Sequence, residues 1–491
     1  MASTFFGLTI GTSGLFTANA GINTTAHNIA NENTEGYSRQ QATQSATSAL
    51  RVYQSYGMVG SGVTVDKIEQ VRDFYYDVKY WRNNASLGEQ SIKNTYNLQM
   101  EDYFNEMKVE GFTAEYQNLF NSLTQLEGDP DNVTIRAEVL NYAQSLADYL
   151  NDIDTKLSQL QQECNTEVSN KVDQINTLAS QIAALTKQIS TVELTGAPAN
   201  DLRDQRAVLV DELSLIVPVT VKEELNANNQ LEFTIDVKGF NIVNNFDTHQ
   251  LKVVTREEQV NDSDIVGLYD IYYNYDERLG TGTRFDVQAM GLSGELRGIL
   301  DIRDGDNGEI IDYKGIPHYK ERLGSFKEAF MELFNDVHDG GYNLYGDKTE
   351  GVDFYYIDGE GKLMVNEDLV HDPKLLGASD SVIHDGVGNS GIVSKWITFQ
   401  DKTVLQNASA QEYLQSIVSE LGVTTMKSST LLSNYSHIEN SISNQRLSVS
   451  GVDSDEEAMN LVKYQDAYEL AAKVIQVMSE MYEKLINETG V

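Results

Sequence analysis

The strictest repeat of apolar positions in the chain lies near its carboxy end. Eight residues follow one another at alternating intervals of three and four: Leu461, Tyr464, Tyr468, Ala471, Ile475, Met478, Tyr482 and Leu485. This spacing is typical of a long helix that packs along one narrow stripe. A similar register runs through residues 414–442, and Gly451 separates the two. The pattern therefore predicts two long helices in series.

A weaker repeat of the same length marks the amino end, where Leu8, Leu15, Ile22 and Ile29 recur every seven residues. Between Met1 and Asn31 there is no Asp, Glu, Lys or Arg, so the other faces of this helix consist of Ser, Thr, Asn and Gly. Such a helix is expected to pack against close neighbours on several sides.

A long apolar repeat in the interior covers residues 150–189 and includes Cys164, which is the only cysteine and is expected to be buried in the helix stripe. Gly196 and Pro198 interrupt the repeat, and Asn200 or Asp201 stands where it could cap a return helix. The pattern therefore predicts an antiparallel helical hairpin.

After Pro218 the apolar period changes from 3.6 to 2, as around 231–237 and 266–273, which indicates strands. A helical insertion is expected at Leu323–Phe334. The fold class is thus multidomain and mainly α with an inserted β-rich domain, and the helical parts from both ends are expected to share one body. The expected domains are a terminal helical domain (1–45 plus 453–491), a long-helix bundle (46–217 plus 401–452) and an outer β-rich domain (218–400).

Composition removes several classes of function. The 491 residues carry 36 Lys plus Arg against 74 Asp plus Glu, a net charge of -38, which disfavours nucleic acid and anionic membranes as partners. There is no run of 18 apolar residues. The first basic residue is Arg39, so the amino end lacks the charged segment of a secretory signal peptide.

The residues that usually carry chemistry do not form motifs. The seven histidines do not have zinc-peptidase spacing, and Gly359–Lys362 lacks the first glycine and the hydroxyl of a phosphate-binding loop. The turn at 304–308 does not match a calcium loop. No catalytic, cofactor-binding or metal residue is predicted, and we expect no cofactor and no enzymatic activity.

Several stretches resemble one protein family. Gly14–Asn31, closing on Gly36–Gln40, resembles the amino-terminal signature of the flagellar rod, hook and junction proteins. Residues 60–75 resemble the next shared block, although Gln70 stands where the family usually has Arg. The junction branch of the family is further matched by interior stretches: Asn200–Arg206, Ser293–Gly298 with Arg303-Asp304, Phe334–Tyr342 and Ser450–Glu457.

The resemblance implies a structural adaptor subunit that polymerises at the hook–filament junction of the bacterial flagellum. The implied partners are copies of the chain in a ring-like helical layer, hook protein, a second junction protein or flagellin, and an export chaperone that binds the C-terminal helix. It also implies an extracellular location, reached through the flagellar export apparatus without signal-peptide cleavage. The resemblance further implies that the two terminal heptad helices are paired in a coiled-coil terminal domain. Their stripes, Leu8 to Ile29 and Leu461 to Leu485, would then form the assembly interface.

Three alternatives stay open at this point. Another axial protein of the flagellum, either a flagellin-like junction subunit or the hook protein, would share the terminal helices. A secreted coiled-coil adhesin would show similar heptads and acidity, and an enzyme could lie within the β-rich region.

Overall fold

The computed structural model describes residues 6–51, 58–109, 112–194, 196–225, 231–308, 311–381, 388–400 and 408–488. The helices are, in chain order, α1 (Phe6–Ala30), α2 (Phe74–Val109), α3 (Phe112–Gly128), α4 (Val133–Glu193), α5 (Asn200–Ile216), α6 (Glu295–Asp304), α7 (Ile316–His338), α8 (Glu367–His371), α9 (Gly391–Ile397), α10 (Ala410–Ser450) and α11 (Ser454–Glu488). Within these ranges, no helix is both long and apolar enough to cross a membrane.

The strands are short and antiparallel where their register is defined. They are β1 (Gln40–Ala46), β2 (Leu50–Arg51), β3 (Met58–Val59), β4 (Val63–Gln70), β5 (Thr220–Leu225), β6 (Leu231–Val237), β7 (Phe240–Asn244), β8 (Asp247–Thr248), β9 (Leu251–Thr255), β10 (Tyr269–Asp276), β11 (Thr281–Arg284), β12 (Tyr355–Ile357) and β13 (Leu363–Val365). Strands β5 to β8 form one sheet in sequence order, strands β9 to β11 a second, and the pairs β1–β4, β2–β3 and β12–β13 stand alone.

The chain divides into two compact units. Unit 1 comprises Met1–Ser86, Asp173–Leu251 and Tyr435–Val491, and unit 2 comprises Leu87–Val172 and Lys252–Asn434. In unit 1, helix α1 packs against helix α11, and strands β1 and β4 pack against α1. The β6–β7 hairpin closes through Lys238 and Gly239, both at positive φ, which is the backbone that a two-residue hairpin loop requires.

Unit 2 has a core built from helix stripes. The apolar residues of α4 from Leu150 to Val172 are at most 2 % exposed, as their spacing predicts, and Cys164 is buried among them. Phe326, Phe330 and Phe334 recur at fourfold spacing on α7, so they share one face of that helix. Phe334 stacks on Trp396 with ring centroids 5.8 Å apart, and all of these rings are buried. Aromatic packing therefore centres this unit on α7.

The coarse fold prediction is confirmed: the chain is mainly helical, with a β-containing region and long C-terminal helices. Helices α10 and α11 follow each other across Gly451 as the two heptad registers predict. The buried stripe of α4 also continues past residue 172, where Ile175, Ile182 and Ile189 are buried although Leu185 is only half-buried.

One local expectation was wrong, and two features differ from the simple sequence picture. Neither Asn200 nor Asp201 caps α5, because the cap residue is Ala199 and the Asn200 side chain donates to the Ile68 carbonyl oxygen instead, at 2.9 Å. Most strands of the predicted β-rich range end at Arg284, and only the β12–β13 hairpin follows among helices α6 to α9. The sequence also failed to reveal β1 and β4, whose few buried positions leave no clear alternation.

Candidate assembly site

A stripe of small residues on α1 forms one side of the contact with α11. Gly7, Gly11, Gly14, Ala18 and Gly21 follow one another at intervals of four and three. Gly11, Ala18 and Gly21 are buried. Because these positions carry little or no side chain, the backbone of α1 can lie very close to its neighbour. We call this contact the glycine seam.

Side chains of α11 fill the space that the α1 glycines leave open. A Cβ atom added at Gly21 would lie 2.6 Å from Cδ1 of Tyr464, and one added at Gly11 would lie 2.9 Å from Cγ1 of Ile475. The corresponding distance from Gly14 to the Cβ atom of Ala471 is 3.7 Å, an ordinary contact. Met478 occupies the space beside Gly7 in the same way.

Four of the eight predicted α11 residues therefore contact the glycine seam: Tyr464, Ala471, Ile475 and Met478. Leu461 and Tyr482 are half-buried, whereas Tyr468 and Leu485 are exposed. On α1 the predicted residues Leu8, Leu15, Ile22 and Ile29 are all half-buried. Each directly follows a residue of the small-residue register, by which we mean the stripe from Gly7 to Gly21 and its continuation to Asn28 at the same spacing. The sequence prediction rested on the large apolar side chains and did not include the glycines. The regular spacing of the glycines, at intervals of four and three, was the signal that could have identified them.

The small-residue register of α1 ends on buried polar residues. Thr25 and Asn28 continue the spacing of four and three beyond Gly21, and both are buried. The Asn28 side-chain amide donates to Oε2 of Glu457 on α11 at 3.2 Å and to the Gln40 carbonyl oxygen at 2.9 Å. Its side-chain oxygen accepts from the Gln40 N–H at 2.9 Å. Asn28 thus links α1 to α11 and to strand β1.

Neighbouring residues extend this arrangement, and we call Asn28, Ser38, Arg39, Asp204 and Glu457 the polar cluster. Arg39 Nε donates to Oε1 of Glu457 at 2.8 Å. The backbone N–H of Ser38 donates to Asp204 Oδ2 at 2.9 Å, and its hydroxyl donates to Oδ1 at 2.7 Å. Burial raises the pKa of the Asp204 carboxyl, although the bonds from Ser38 favour its charged form. Three stretches that carry the family resemblance, 36–40, 200–206 and 450–457, meet here.

An ion network borders the cluster in the same unit. Arg446 Nη1 donates to Oδ2 of Asp211 and its Nε to Oδ1 of Asp77, each at 2.7 Å. Arg72 pairs with Asp77 at 2.8 Å. These arginines line a cleft of about 920 Å³, and their carboxylate partners already hold them. Gln70, where the family has Arg, donates to the Asn200 carbonyl oxygen at 2.9 Å.

The described residues bring together no group of three or more His, Cys, Asp or Glu side chains that could hold a metal ion. Burial raises the pKa of the Cys164 thiol, which therefore stays protonated. His338 is also buried, with Nδ1 2.6 Å from the Val352 carbonyl oxygen and Nε2 accepting from the Gly377 N–H at 3.0 Å. Both nitrogens have backbone partners, so this histidine holds the fold of unit 2.

Comparison with known proteins first defines the class. Residues 443–488, which cover the end of α10 and all of α11, match the C-terminal family of the flagellar basal body rod FlgEFG proteins. This match indicates the class of axial structural proteins of the bacterial flagellum. Residues 98–355, more than half of the chain, match the helical domain of flagellar hook-associated protein FlgK. The chain belongs to the FlgK family of hook-associated proteins.

Two relatives that match over nearly their full length, from Bacillus subtilis and Escherichia coli, agree with this assignment. Flagellar hook-associated protein 1 of Bacillus subtilis is 28 % identical over 514 residues, covering 100 % of this chain and 99 % of the relative. The Escherichia coli protein of the same name is 25 % identical, with 97 % and 98 % covered. The solved flagellar hook junction protein FlgK from Burkholderia pseudomallei aligns with a TM-score of 0.48 and 22 % identity, over 57 % of this chain and 47 % of that one.

The family consists of structural proteins of the flagellum. The chain is accordingly a structural adaptor of the hook–filament junction, as the sequence resemblance implied. It associates with other axial components of the flagellum.

Proposed function

We propose that the chain acts as an adaptor by placing the α1–α11 pair inside the flagellar axis, where a coiled-coil contact along the glycine seam is covered by neighbouring subunits. The observation that carries this proposal is a second apolar stripe on α11. Its members are between 42 and 68 % exposed although they are large and apolar: Met459, Val462, Leu470, Val474, Val477 and Met481. Such a group of large exposed apolar side chains on one helix is typical of a protein–protein contact.

The uncharged surface of α1 supports the same proposal. Phe16 is 66 % exposed on a helix that contains no Asp, Glu, Lys or Arg, in a chain whose net charge is -38. Copies of a strongly acidic chain repel one another in solution, and a neutral helix lowers that repulsion where copies must come close. The predicted assembly interface, extended by the glycines and by the exposed α11 stripe, is therefore the surface we assign to polymerisation.

The adaptor role requires two different axial contacts, because a subunit with identical upper and lower surfaces would assemble without end. We assign hook protein to one side and the second junction protein or flagellin to the other, with copies of the chain forming a ring-like layer between them. An export chaperone would cover α11 before assembly. The chain would leave the cell through the flagellar export apparatus without signal cleavage and act outside it, without catalysis.

The domain layout predicted from the sequence also remains a proposal. Its terminal domain, 1–45 plus 453–491, is supported by the contact of α1 with α11 in unit 1. The outer domain at 218–400 contains the division between the units at Leu251, so its boundaries need a separate test, such as limited proteolysis.

The proposal is tested by Val477→Asp, which adds a carboxylate to the exposed α11 stripe. Val477 is 54 % exposed in the free chain, so the free energy of unfolding should change by no more than about 0.5 kcal/mol, as for other surface substitutions. In the assembled axis the same carboxylate would be buried and unpaired, which costs several kcal/mol. We expect hooks without filaments in electron micrographs and flagellin in the culture medium.

The matched control is Gln476→Asp, which adds the same charge at the next position, on the exposed polar face of α11. It should assemble almost normally. Normal filaments with Val477→Asp would refute burial of this stripe in the axis, and antibody labelling of intact flagella would show whether the chain occupies the junction or the hook.

A further inference from the structure

The glycine seam repeats along α1, because Gly7, Gly14 and Gly21 recur every seven residues. Side chains of α11 fit the spaces beside these glycines, and such interlocking restricts the register of a helix pair. A shift of α1 by seven residues would again place glycines opposite α11 side chains. The seam alone therefore leaves such shifted registers available.

Asn28 has the properties of a register-setting residue. It occupies the last position of the small-residue register, it is 1 % exposed, and its amide reaches Glu457, which is 2 % exposed. A buried polar residue at one core position of a helix pair specifies register, since a shift leaves its hydrogen bond to the partner helix unmade. Sliding α11 by even one residue would separate Asn28 from Glu457.

The polar cluster also fixes where the chain leaves α1. The N–H groups of Ser38, Arg39 and Gln40 donate in turn to Asp204, to the Ser450 carbonyl oxygen and to Asn28. Hydrogen bonds are directional, and these three acceptors belong to α5, the end of α10 and α1 itself. The segment after α1 is therefore held at three successive residues.

We propose that Asn28 and Glu457, supported by Arg39, Ser38 and Asp204, are positioning residues that set the register of α1 against α11. The inference builds on the proposed function, since an adaptor must present its axial helices in one fixed alignment to two different neighbours. Arg39 Nε donates to the Glu457 carboxylate and holds it in place, and Asp204 holds the exit segment so that Gln40 stays against Asn28.

The test uses a pair of spin labels across the seam in the full-length chain. Asn19→Cys on α1 and Asp466→Cys on α11 are exposed labelling sites, and the natural Cys164 is buried and does not compete for label. Pulsed electron resonance then gives the distribution of distances between the labels. The unaltered register should give one narrow distribution, and a broad one in this parent would overturn the proposal.

Glu457→Ala is the decisive variant and Glu456→Ala its matched control. Both residues lie in the first turn of α11 and both accept from Arg39, but only Glu457 also contacts Asn28. We expect Glu457→Ala to broaden the distribution or add a second distance, while Glu456→Ala leaves it narrow. The fraction of hooks bearing filaments should fall about tenfold or more with Glu457→Ala, since a hydrogen bond to a charged group is lost.

Two further variants separate positioning from simple stability. Glu457→Gln keeps an oxygen that can accept from Asn28, so the distance distribution of this variant should be narrow again. If Glu457 contributed only to stability through its charge, the distribution of Glu457→Gln should be as broad as that of Glu457→Ala. Ser38→Ala removes only the hydroxyl bond to Asp204 and keeps the proposal testable if Glu457→Ala does not fold; it should broaden the distribution slightly. A narrow distribution in both Glu457→Ala and Ser38→Ala would refute the proposal.

The label distances are measured on the free chain, so they do not depend on assembly. Normal filaments with Val477→Asp would therefore refute the proposed burial in the axis without affecting the register inference. A distribution that stays narrow in Glu457→Ala and Ser38→Ala would refute the register inference without affecting the proposed burial of the α11 stripe in the axis.

Discussion

Replacing Gly21 by alanine isolates the steric constraint of the seam from every other effect. The added Cβ atom would lie 2.6 to 2.7 Å from Cδ1, Cε1 and Cγ of Tyr464, about 1 Å closer than an ordinary contact. Because Cγ is attached directly to the Cβ atom of Tyr464, turning the ring cannot relieve the contact, and the helices must separate. Overpacking of this size costs about 1–3 kcal/mol.

Gly14→Ala supplies the matched comparison. Its Cβ atom would stand 3.7 Å from that of Ala471, so it fits without a shift. Both variants gain the same helix propensity, about 1 kcal/mol, because both glycines lie inside α1. The gain cancels when the two are compared. The steric effect alone should therefore make Gly21→Ala about 1–3 kcal/mol less stable in this helix pair than Gly14→Ala.

Amide hydrogen exchange of α1 in the full-length protein measures this difference. In the limit where exchange reports the opening equilibrium, each 1.4 kcal/mol changes protection about tenfold. Amides of α1 should therefore exchange roughly 5 to 150 times faster in Gly21→Ala than in Gly14→Ala, while those of unit 2 stay unchanged. Equal protection in the two variants would show that α1 and α11 are not in close contact in solution.

The remaining predictions concern unit 2. Asp304→Asn should lower the free energy of unfolding of this unit by about 3–5 kcal/mol, as measured by chemical denaturation. The reason is that Asp304 is fully buried and accepts from both Arg303 and Arg256 at 2.7 Å. A loss below about 1 kcal/mol would contradict the importance of this buried network. Burial lowers the pKa of His338, so the unfolded chain takes up a proton below about pH 6.5 that the folded chain resists. The contribution of His338 to the free energy of unfolding should be complete above that pH and fall as the pH drops, and His338→Gln, which removes the ionisable imidazole, should flatten this pH dependence.

The parts of the fold that sequence could predict are those where large apolar residues repeat over many turns. The stripe of α4 is buried almost as its spacing requires, because so many apolar groups on one face outweigh any local preference. Four residues of the α11 repeat, among them Ile475 and Met478, contact α1, whereas Tyr468 and Leu485 are exposed. Burial of a long stripe leaves few alternatives, so the pattern determines the outcome.

The features that could not be predicted depend on residues with little hydrophobic signal. Gly11 and Gly21 act by the absence of a side chain, and their importance appears only when the position of α11 is known. Asn28 and Glu457 lie 429 positions apart in the sequence, so no local pattern connects them. Strand β1 is built from Gln, Ala, Thr and Ser, whose pairing with β4 is set by tertiary contacts rather than by alternation.

The glycine seam gives the two helices opposite sensitivities to mutation. Every substitution at Gly11 or Gly21 adds atoms, so α1 fails by crowding, whereas most substitutions at Tyr464 or Ile475 remove atoms, so α11 fails by leaving voids. A substitution that removes side-chain atoms from α11 can therefore compensate for one that adds atoms to α1. Alanine at position 21 should be tolerated once Tyr464 is replaced by a smaller residue, and related chains are expected to vary these two positions together.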